Sequence, residues 1–219
     1  YDDDDLVRLV RRAFPDLSAA VARMRAQIER VDMARYALLY LHGGVYADAD
    51  ITLLSLPLLR CAFSAAELTL PWEKSRMIGQ SIMLARAPRN PFWAELAREL
   101  VGRYNPACYE VENTGPNAVT RAVSKLCRGR AGSVKRLTLH RGLLDGPVAI
   151  HRMTGTWRGA ASRARIKGKL GCTPELLPNC LSTPCLGYMQ ACGCNMTFAA
   201  RLAAGLPRNF ALRRCRANE

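Results

Sequence analysis

The chain has 219 residues, of which 49% are hydrophobic, and a formal net charge of +14. This length suits one domain with a sizeable core and a smaller appendage. No run of about 18 apolar residues occurs, so the sequence predicts no membrane-spanning helix.

The positive charge lies almost entirely in the second half of the chain. Residues 113–219 contain 18 Lys and Arg against three acidic residues, whereas residues 1–112 are nearly neutral. We expect the basic half to face phosphates, an anionic acceptor or, peripherally, a membrane surface, the alternative being an ordinary solvated surface. Nucleic-acid binding is not expected, because the basic residues follow no helical stripe and lack interleaved aromatic residues.

The N-terminal segment predicts two helices. Asp2 to Asp5 precede an amphipathic helix that ends near Pro15, and we expect these aspartates to cap the helix rather than to bind a ligand. Ser18 is expected to cap a second helix. The apolar stripe of this second helix runs without a break into the next stretch, through Val21, Met24, Ile28 and Val31.

Residues 31–51 carry the most informative pattern of the chain. The first half has helical apolar spacing, and Gly43 and Gly44 supply the backbone freedom that a helix end needs before a strand. The predicted strand 45–47 then leads to Asp48 and Asp50. In extended geometry these two carboxylates point the same way, and a bound Mg²⁺ or Mn²⁺ would relieve their repulsion. A turn capped by an acidic pair is the structural alternative.

The remaining elements alternate between strands and helices, which indicates an α/β fold. The pattern predicts an extended edge over 51–59, interrupted by Pro57, and strands over 68–70 and 78–84. It then predicts a helix over 92–104, opened by Pro91, and a turn at 113–116 that leads into a helix over 118–126. Two further strands are predicted over 134–139 and 148–150, and His151 directly follows the second of them. An irregular tail is expected from about residue 160, with one short helix near 197–204.

Cysteine usage indicates an oxidising compartment. Six of the nine cysteines lie between residues 172 and 215, and none forms a C-x-x-C pair, so a disulfide-stapled tail is favoured over a zinc site. The sequence Asn195-Met196-Thr197 is an N-glycosylation acceptor, which agrees with a lumenal tail. The isolated Cys61, Cys108 and Cys127 are expected to be buried apolar residues.

The central stretch resembles the DXD-containing signature of sugar transferases, as found in glycosyltransferase family 32, in fungal-type initiating α-mannosyltransferases and in the glucosyltransferase domains of large bacterial toxins. The pattern D-x-x-R-Y-x-x-L-x-x-x-G-G-x-Y-x-D-x-D is matched at nine positions, by Asp32, Arg35, Tyr36, Leu39, Gly43, Gly44, Tyr46, Asp48 and Asp50.

This resemblance implies an α/β fold of the GT-A type, with a mixed sheet flanked by helices, over residues 1–157, followed by a basic, Cys-rich extension over 158–219. The first strand of the family, which packs on the nucleotide base, lies upstream of the helix with which this chain begins. An N-terminally truncated catalytic domain is therefore expected. Any membrane anchor would also lie upstream, and the protein is expected in the Golgi or another secretory lumen.

The resemblance also implies site roles. Asp50 would bind the metal directly, and Asp48 would reach it through water or bind ribose and sugar hydroxyls. Asp32 would contact the sugar, and Arg35 the sugar and the diphosphate, since a guanidinium binds phosphate oxygens in pairs. An ordinary helix ion pair is the alternative for Asp32 and Arg35. Tyr36 is expected to pack, and the remaining donor-side residues would be Tyr46, Gln80 and Trp157.

Two further segments match the family. Residues 151–157 fit the pattern H-x-x-x-G-[ST]-W, so His151 would complete the metal shell or touch the diphosphate, the alternative being a structural histidine. Trp157 would cover the diphosphate or fill the core. Thr114 and Gly115, in a T-G-P turn, would lie on the acceptor side.

The implied function is transfer of a hexose, with retention of configuration, from GDP-mannose or a UDP-hexose to a glycan or lipid acceptor, assisted by Mn²⁺ or Mg²⁺. Asp48, Asp50 and Arg35 would be the catalytic residues. One competing hypothesis is a phosphohydrolase of the haloacid-dehalogenase type, because residues 48–52 also fit D-x-D-x-T. Another is a noncatalytic sugar-binding relative.

Overall fold

The computed structural model describes residues 2–72, 77–128, 137–152 and 187–190, and it begins with helix α1 (Asp3–Ala13). Asp2 caps this helix: its carboxylate accepts the Asp5 backbone N–H at 2.8 Å, and the Asp5 carboxylate accepts the Asp2 N–H at 3.3 Å. This reciprocal pair satisfies two backbone donors that a helix start leaves open. The capping prediction for the N-terminal aspartates is confirmed.

The predicted second helix is divided in two. A 3-10 turn (Pro15–Leu17) leads into the short helix α2 (Ser18–Ala22), and α3 (Gln27–His42) begins five residues later. The Arg25 backbone N–H is donated to the Tyr104 hydroxyl at 2.9 Å instead of to a helical carbonyl, which holds the break open. The predicted continuous stripe was therefore wrong. Ser18 is also no N-cap, because its hydroxyl donates to the Pro15 carbonyl at 3.1 Å.

Helix α3 ends at Gly43 and Gly44, as the sequence predicted. Gly43 has φ 65° and Gly44 has φ 86°, and strand β1 (Gly44–Ala47) follows at once. The strand stops before Asp48, however, and the Ile51 N–H is donated to the Asp48 carbonyl at 3.0 Å, so residues 48–51 form a turn. The prediction that Asp48 and Asp50 share one side of an extended strand was wrong in its geometry.

Strand pairing builds a mixed sheet and a separate two-stranded ribbon. Besides β1, the strands are β2 (Ile51–Leu53), β3 (Leu68–Pro71), β4 (Ile82–Ala85), β5 (Leu137–Arg141), β6 (Ala149–His151) and β7 (Gly187–Gln190). The sheet has the order β1-β4-β3-β5-β7. In it β4 is antiparallel to β1 and to β3, whereas β5 is parallel to β3 and to β7. The ribbon pairs β2 with β6 in antiparallel register.

Three strand predictions need correction. The strand predicted over 78–84 begins at Ile82, and Ile78 forms an isolated bridge with Trp72 instead. The extended edge predicted over 51–59 ends at Leu53, and helix α4 (Leu56–Ala65) follows, because Ser55 caps it and Pro57 fits a first helical turn. Strand β7 was not predicted at all, since it lies in the segment expected to be irregular. The other predictions for residues 160–219, including the helix near 197–204, lie outside the described residues.

The predicted helices in the middle of the chain are confirmed. They are α5 (Pro91–Gly102) and α7 (Pro116–Arg128), the latter preceded by the short α6 (Glu110–Asn113). None of the helices in the described part of the chain has the length and apolarity that a bilayer crossing requires. The helices flank the mixed sheet, an arrangement that is compatible with the GT-A-like fold expected from the sequence.

The main core lies between α1, α3, α5, α7 and the sheet. Its largest fully buried members include Trp93, Tyr36 and Phe92, and the Tyr36 and Trp93 rings stack at 6.0 Å between centroids. A smaller apolar cluster joins α4 to β4 and to the loop before β6. Between the two clusters, α3, β1 and the start of β4 meet, and the polar residues of the candidate site lie there.

Gly43 offers a test of the helix-to-strand turn. A Cβ at this position would lie 3.0 Å from the Ala85 carbonyl oxygen, with φ at 65°. We expect Gly43→Ala to lower the free energy of unfolding by about 1–3 kcal/mol, because both the strain and the close contact oppose a side chain. Denaturant unfolding followed by circular dichroism measures this loss.

Gly102→Ala is the matched control. Gly102 is exposed at the end of α5, and an added Cβ would meet nothing within 4 Å. We expect a gain of up to about 1 kcal/mol from the higher helix propensity of Ala. Equal losses in the two variants would contradict this account of Gly43.

Candidate functional site

The turn after β1 brings Asp48 and Asp50 together. The Asp48 backbone N–H is donated to the Ser81 carbonyl at 2.8 Å, which fixes the turn against the segment before β4. The Arg152 N–H is donated to the Asp50 carbonyl at 3.0 Å, which fixes the other end against the segment after β6. The two carboxylates therefore converge because the turn is held at both ends.

The ribbon delivers His151 to the same place. Ile51 on β2 lies opposite His151 on β6, and the His151 backbone N–H is donated to the Asp145 carboxylate at 3.2 Å. The His151 Nε2 atom lies 3.2 Å from the Asp50 Oδ1 atom. Long-range strand pairing thus places a histidine beside an aspartate about a hundred residues away in sequence, a proximity that periodicity cannot reveal.

Asp48, Asp50 and His151 form a group that could hold a metal ion. One ligand atom from each lies within 4.8 Å of the others, and all three residues are partly exposed. Ligands that share one Mg²⁺ at 2.0–2.1 Å lie at most about 4.2 Å apart, so small side-chain movements bring the three atoms into range of a common ion. Two carboxylates and an imidazole suit Mn²⁺ or Mg²⁺, and the partial exposure leaves room for further ligands.

Arg35 joins this group to the protein interior. Arg35 is only 3% exposed. Its guanidinium lies 2.8 Å from the Asp32 Oδ1 atom and 3.5 Å from the Asp48 Oδ1 atom, and it donates a hydrogen bond to the Gln80 backbone carbonyl at 3.1 Å. The Arg35 guanidinium also lies over the Tyr46 ring, 5.1 Å from its centroid. Arg35 therefore has acceptors on three sides, and its Nε atom is a buried donor without a partner among the described residues.

Asp32 is the buried partner of Arg35. It is 2% exposed, and its Oδ2 atom accepts the Thr114 hydroxyl at 2.7 Å. Burial raises the pKa of this carboxyl above its usual value, against the opposing effects of Arg35 and Thr114. The surface ion pair considered from the sequence is excluded, since both side chains are inside the protein.

The charges around Arg35 keep it protonated. Burial by itself would lower the pKa of the guanidinium, but the neighbouring Asp32, Tyr46 and Asp48 raise it overall. Tyr46 in turn donates its hydroxyl to Asp48 Oδ1 at 2.6 Å, and burial raises the pKa of Tyr46, so this hydroxyl remains a donor at neutral pH. Tyr46 thus touches both Arg35 and Asp48.

Gln80 and Tyr36 complete the interior of the site. The Tyr36 hydroxyl donates to the Gln80 side-chain carbonyl, and it lies 3.4 Å from the Thr114 carbonyl oxygen. Tyr36 packs in the core, as the sequence predicted, but its hydroxyl also belongs to this polar network. The structure therefore brings together most of the residues predicted for the site, namely Asp32, Arg35, Tyr46, Asp48, Asp50, Gln80, Thr114 and His151.

Thr114 and Gly115, which the resemblance assigned to the acceptor side, follow α6 beside Asp32. Thr114 is fully buried, and its hydroxyl is engaged with Asp32. At Gly115 an added Cβ would lie 2.6 Å from the Val111 Cα atom, so close packing of the turn after α6 against that helix accounts for the glycine. Direct acceptor contact by these residues stays a prediction, and Trp157 lies outside the described residues.

Sequence inspection missed a second buried polar cluster beside Asp32. The Glu29 carboxylate, 2% exposed, accepts the Asn113 side-chain amide at 2.8 Å, the Tyr104 hydroxyl at 3.0 Å and the Ala26 N–H at 3.1 Å. Glu29 and Asp32 thus hold the consecutive residues Asn113 and Thr114. The helical spacing of Glu29, Asp32 and Arg35 was the available signal, because residues three apart share a face.

Comparison with known proteins supports the resemblance at the level of the family. The family described as "Glycosyltransferase sugar-binding region containing DXD motif" matches residues 4–60. This segment includes α3, β1 and the turn with Asp48 and Asp50. No curated protein and no solved structure matches the chain. The match supports a glycosyltransferase and leaves the sugar unspecified.

A substitution that adds a negative charge at Asn113 tests its contact with Glu29. Asn113→Asp would place a second carboxylate within about 3 Å of Glu29, so one of the two carboxyl groups must have a raised pKa in the folded state. Stability would then be lost as the pH rises from the unfolded value of about 4 through that raised pKa. We expect a loss of about 2–4 kcal/mol at pH 7 and a smaller loss at pH 4, measured by denaturant unfolding.

The reciprocal double variant is the control. Glu29→Gln with Asn113→Asp restores an amide facing a carboxylate and removes the like-charge pair. Recovery should be incomplete, because Asn113 also donates to the Asn105 carbonyl at 2.9 Å. If the double variant is no more stable than Asn113→Asp at pH 7, the proposed contact is not the cause of the loss.

Proposed function

We propose that this protein is a metal-dependent glycosyltransferase that transfers a hexose from a nucleotide-sugar, GDP-mannose or a UDP-hexose, to a glycan or lipid acceptor. The observation that carries the proposal is the convergence of Asp48, Asp50 and His151, with Arg35 ion-paired to Asp48 behind them. The family match over residues 4–60 supports the same chemistry.

Asp48, Asp50 and His151 would hold the Mn²⁺ or Mg²⁺ ion. Its chemical contribution, when bound, is to neutralise the negative charge that develops on the departing nucleoside diphosphate. The protein supplies a positioned set of ligands: the turn at 48–51 orients the two carboxylates, and the Asp145 contact orients the backbone at His151. Such preorganisation lowers the cost of assembling the site at the moment of reaction.

Arg35 and Asp32 would act on the donor from the interior side. Arg35 carries a permanent positive charge in a buried setting, where its field at a bound diphosphate is weakly screened. Its unpartnered buried Nε donor is consistent with an acceptor that a ligand would bring. Asp32 fixes the orientation of the guanidinium and would accept a sugar hydroxyl if that hydroxyl replaced Thr114.

Retention of configuration belongs to the same proposal. Every carboxylate in the described site is engaged, Asp32 with Arg35 and Thr114, Asp48 with Tyr46 and Asp50 with His151, so none is poised as a nucleophile. A front-face displacement needs none, because the leaving phosphate would accept the proton of the acceptor hydroxyl. The nine cysteines and the glycosylation sequence favour a secretory lumen, such as the Golgi, as the compartment.

No observation favours the phosphohydrolase alternative. That chemistry needs a further acidic pair to hold Mg²⁺ beside the D-x-D-x-T motif. Among the described residues, the one group of three or more metal-ligating side chains is completed by a histidine. The D-x-D-x-T motif would also leave the buried Asp32 and Arg35 pair unexplained.

Replacement of Asp50 tests the proposed metal ligand. We expect Asp50→Ala to lower Mn²⁺-dependent release of nucleoside diphosphate from the preferred nucleotide-sugar by a factor on the order of 10²–10³ or more, because the cation loses a direct ligand. Direct Mn²⁺ titration by calorimetry should show the same variant with weakened binding. Excess EDTA should stop the wild-type reaction.

Asp4→Ala is the matched control, since Asp4 is an exposed carboxylate in the first turn of α1. This variant should keep wild-type turnover and Mn²⁺ affinity. Near-normal turnover of Asp50→Ala would refute the metal role of Asp50. Release of inorganic phosphate from phosphomonoesters would favour the phosphohydrolase, and sugar-nucleotide binding without any release would favour the noncatalytic relative.

A further inference from the structure

The hydroxyl group of Tyr46 has no role in the reaction as proposed so far. The family resemblance placed Tyr46 on the donor side, but its hydroxyl already donates a hydrogen bond to the Asp48 Oδ1 atom at 2.6 Å. This length is typical of a hydroxyl that donates to a carboxylate, and such charge-assisted bonds are among the stronger ones in proteins. Tyr46 therefore contacts a proposed metal ligand directly.

The ring of Tyr46 is held in place from several directions. Tyr46 lies on β1 opposite Met83 of β4, and it is partly buried against the main core. The Arg35 guanidinium lies over the ring at 5.1 Å from its centroid, where the ring's π electrons attract a cation. Because strand pairing, core packing and the guanidinium all fix the ring, the hydroxyl offers Asp48 a donor at a defined point.

The two carboxylate oxygens of Asp48 have different surroundings. The Oδ1 atom accepts the Tyr46 hydroxyl and lies 3.5 Å from the Arg35 Nη1 atom. The Oδ2 atom has no hydrogen-bond donor among the residues that the structure describes. Rotation of the carboxylate about its terminal bond would break the contacts of Oδ1, so the hydroxyl and the cation together fix that rotation. Oδ2 is thus the oxygen that is available to a ligand.

Donation from the same hydroxyl to a nucleotide-sugar fits this geometry less well. A tyrosine hydroxyl has one proton, and this proton is already donated to Asp48. The oxygens of a diphosphate accept hydrogen bonds and have none to donate. The hydroxyl could bind them only by releasing Asp48.

We infer that Tyr46 is a positioning residue, whose hydroxyl holds Asp48 Oδ1 so that Oδ2 alone faces the proposed metal position. That position is shared with Asp50 and His151. The inference rests on the proposed metal-dependent function, and it gives Tyr46 a role other than the donor contact expected from the sequence. Groups that hydrogen-bond to a metal-binding side chain orient it, and their loss typically lowers metal affinity or activity by about 10–100-fold.

Tyr46→Phe tests the inference, because it removes the hydroxyl and keeps the ring over Arg35. Mn²⁺ is titrated into the full chain by calorimetry, without any nucleotide-sugar. We expect an affinity about 10–100-fold below that of the wild type, because the Asp48 carboxylate is then free to turn.

Steady-state kinetics separate positioning of Asp48 from contact with the donor. In Tyr46→Phe, the Mn²⁺ concentration that gives half-maximal release of nucleoside diphosphate should rise by about 10–100-fold. The KM for the nucleotide-sugar at saturating Mn²⁺ should change by less than about twofold, because the hydroxyl does not touch the donor.

Tyr40→Phe is the matched control. Tyr40 is a partly buried tyrosine of α3, its ring lies 5.2 Å from that of Phe14, and its hydroxyl makes no hydrogen bond to the described residues. This variant should bind Mn²⁺ as the wild type does. Thermal unfolding of both variants separates lost binding from lost folding.

A double-variant cycle tests whether Tyr46 acts through Asp48. In an Asp48→Ala background, Tyr46→Phe should change the Mn²⁺ affinity by less than about twofold, because the hydroxyl has no carboxylate left to hold. A further loss of about tenfold in that background would show that Tyr46 acts by another route, and it would contradict the inference.

The inference is overturned if the wild type does not bind Mn²⁺, if Tyr46→Phe binds it as tightly as the wild type, or if Tyr40→Phe loses as much affinity. The titration contains no sugar donor, so it stands apart from the proposed transferase activity. Weakened Mn²⁺ binding by Tyr46→Phe, with no release of nucleoside diphosphate by the wild type, would refute the proposed function alone. Release by the wild type, with equal Mn²⁺ affinity in Tyr46→Phe, would refute the positioning role alone.

Discussion

The buried guanidinium of Arg35 is the constraint on which the rest of the site depends. A buried cation is costly unless acceptors surround it, and here they come from three parts of the chain: Asp32 on α3, Asp48 after β1 and the Gln80 carbonyl before β4. Removing any of these contacts would leave charge insufficiently compensated in the interior. The charge therefore fixes the position of the Asp48 turn relative to helix α3, which is the arrangement that the proposed chemistry requires.

Helix α3 can hold this charge because one of its faces is polar and buried. Glu29, Asp32 and Arg35 follow at intervals of three, and their partners are Asn113, Thr114 and Gln80. The other faces pack against α1, α5 and the sheet, with Tyr36 stacked on Trp93. The polar face binds the turn between α6 and α7, so the wall of the site and the hydrophobic core are positioned by the same helix. The packing of α3 therefore determines both the fold of the core and the geometry of the candidate site.

The sequence correctly predicted those helix ends that are set by residues close to them in the chain. The capping aspartates of α1, the glycines after α3, and the prolines that open α5 and α7 all act within a few residues of their own position. The failures arose where a distant partner decided the outcome. The break between α2 and α3 depends on the Tyr104 hydroxyl, the end of β1 at Ala47 depends on contacts from Ser81 and Arg152, and β7 is a strand through its pairing with β5.

The sequence by itself determined the chemistry available: two aspartates after a glycine pair, an acid and an arginine on one helical face, and a histidine at the end of a late strand. Only the tertiary structure decided that these groups meet. Strand pairing of Ile51 with His151 brings the histidine to Asp50, and burial converts Asp32 and Arg35 from a helix ion pair into an interior one. The physical reason is that metal-ligand geometry and desolvation depend on distances across the fold, whereas sequence patterns report only which residue types recur along a single element.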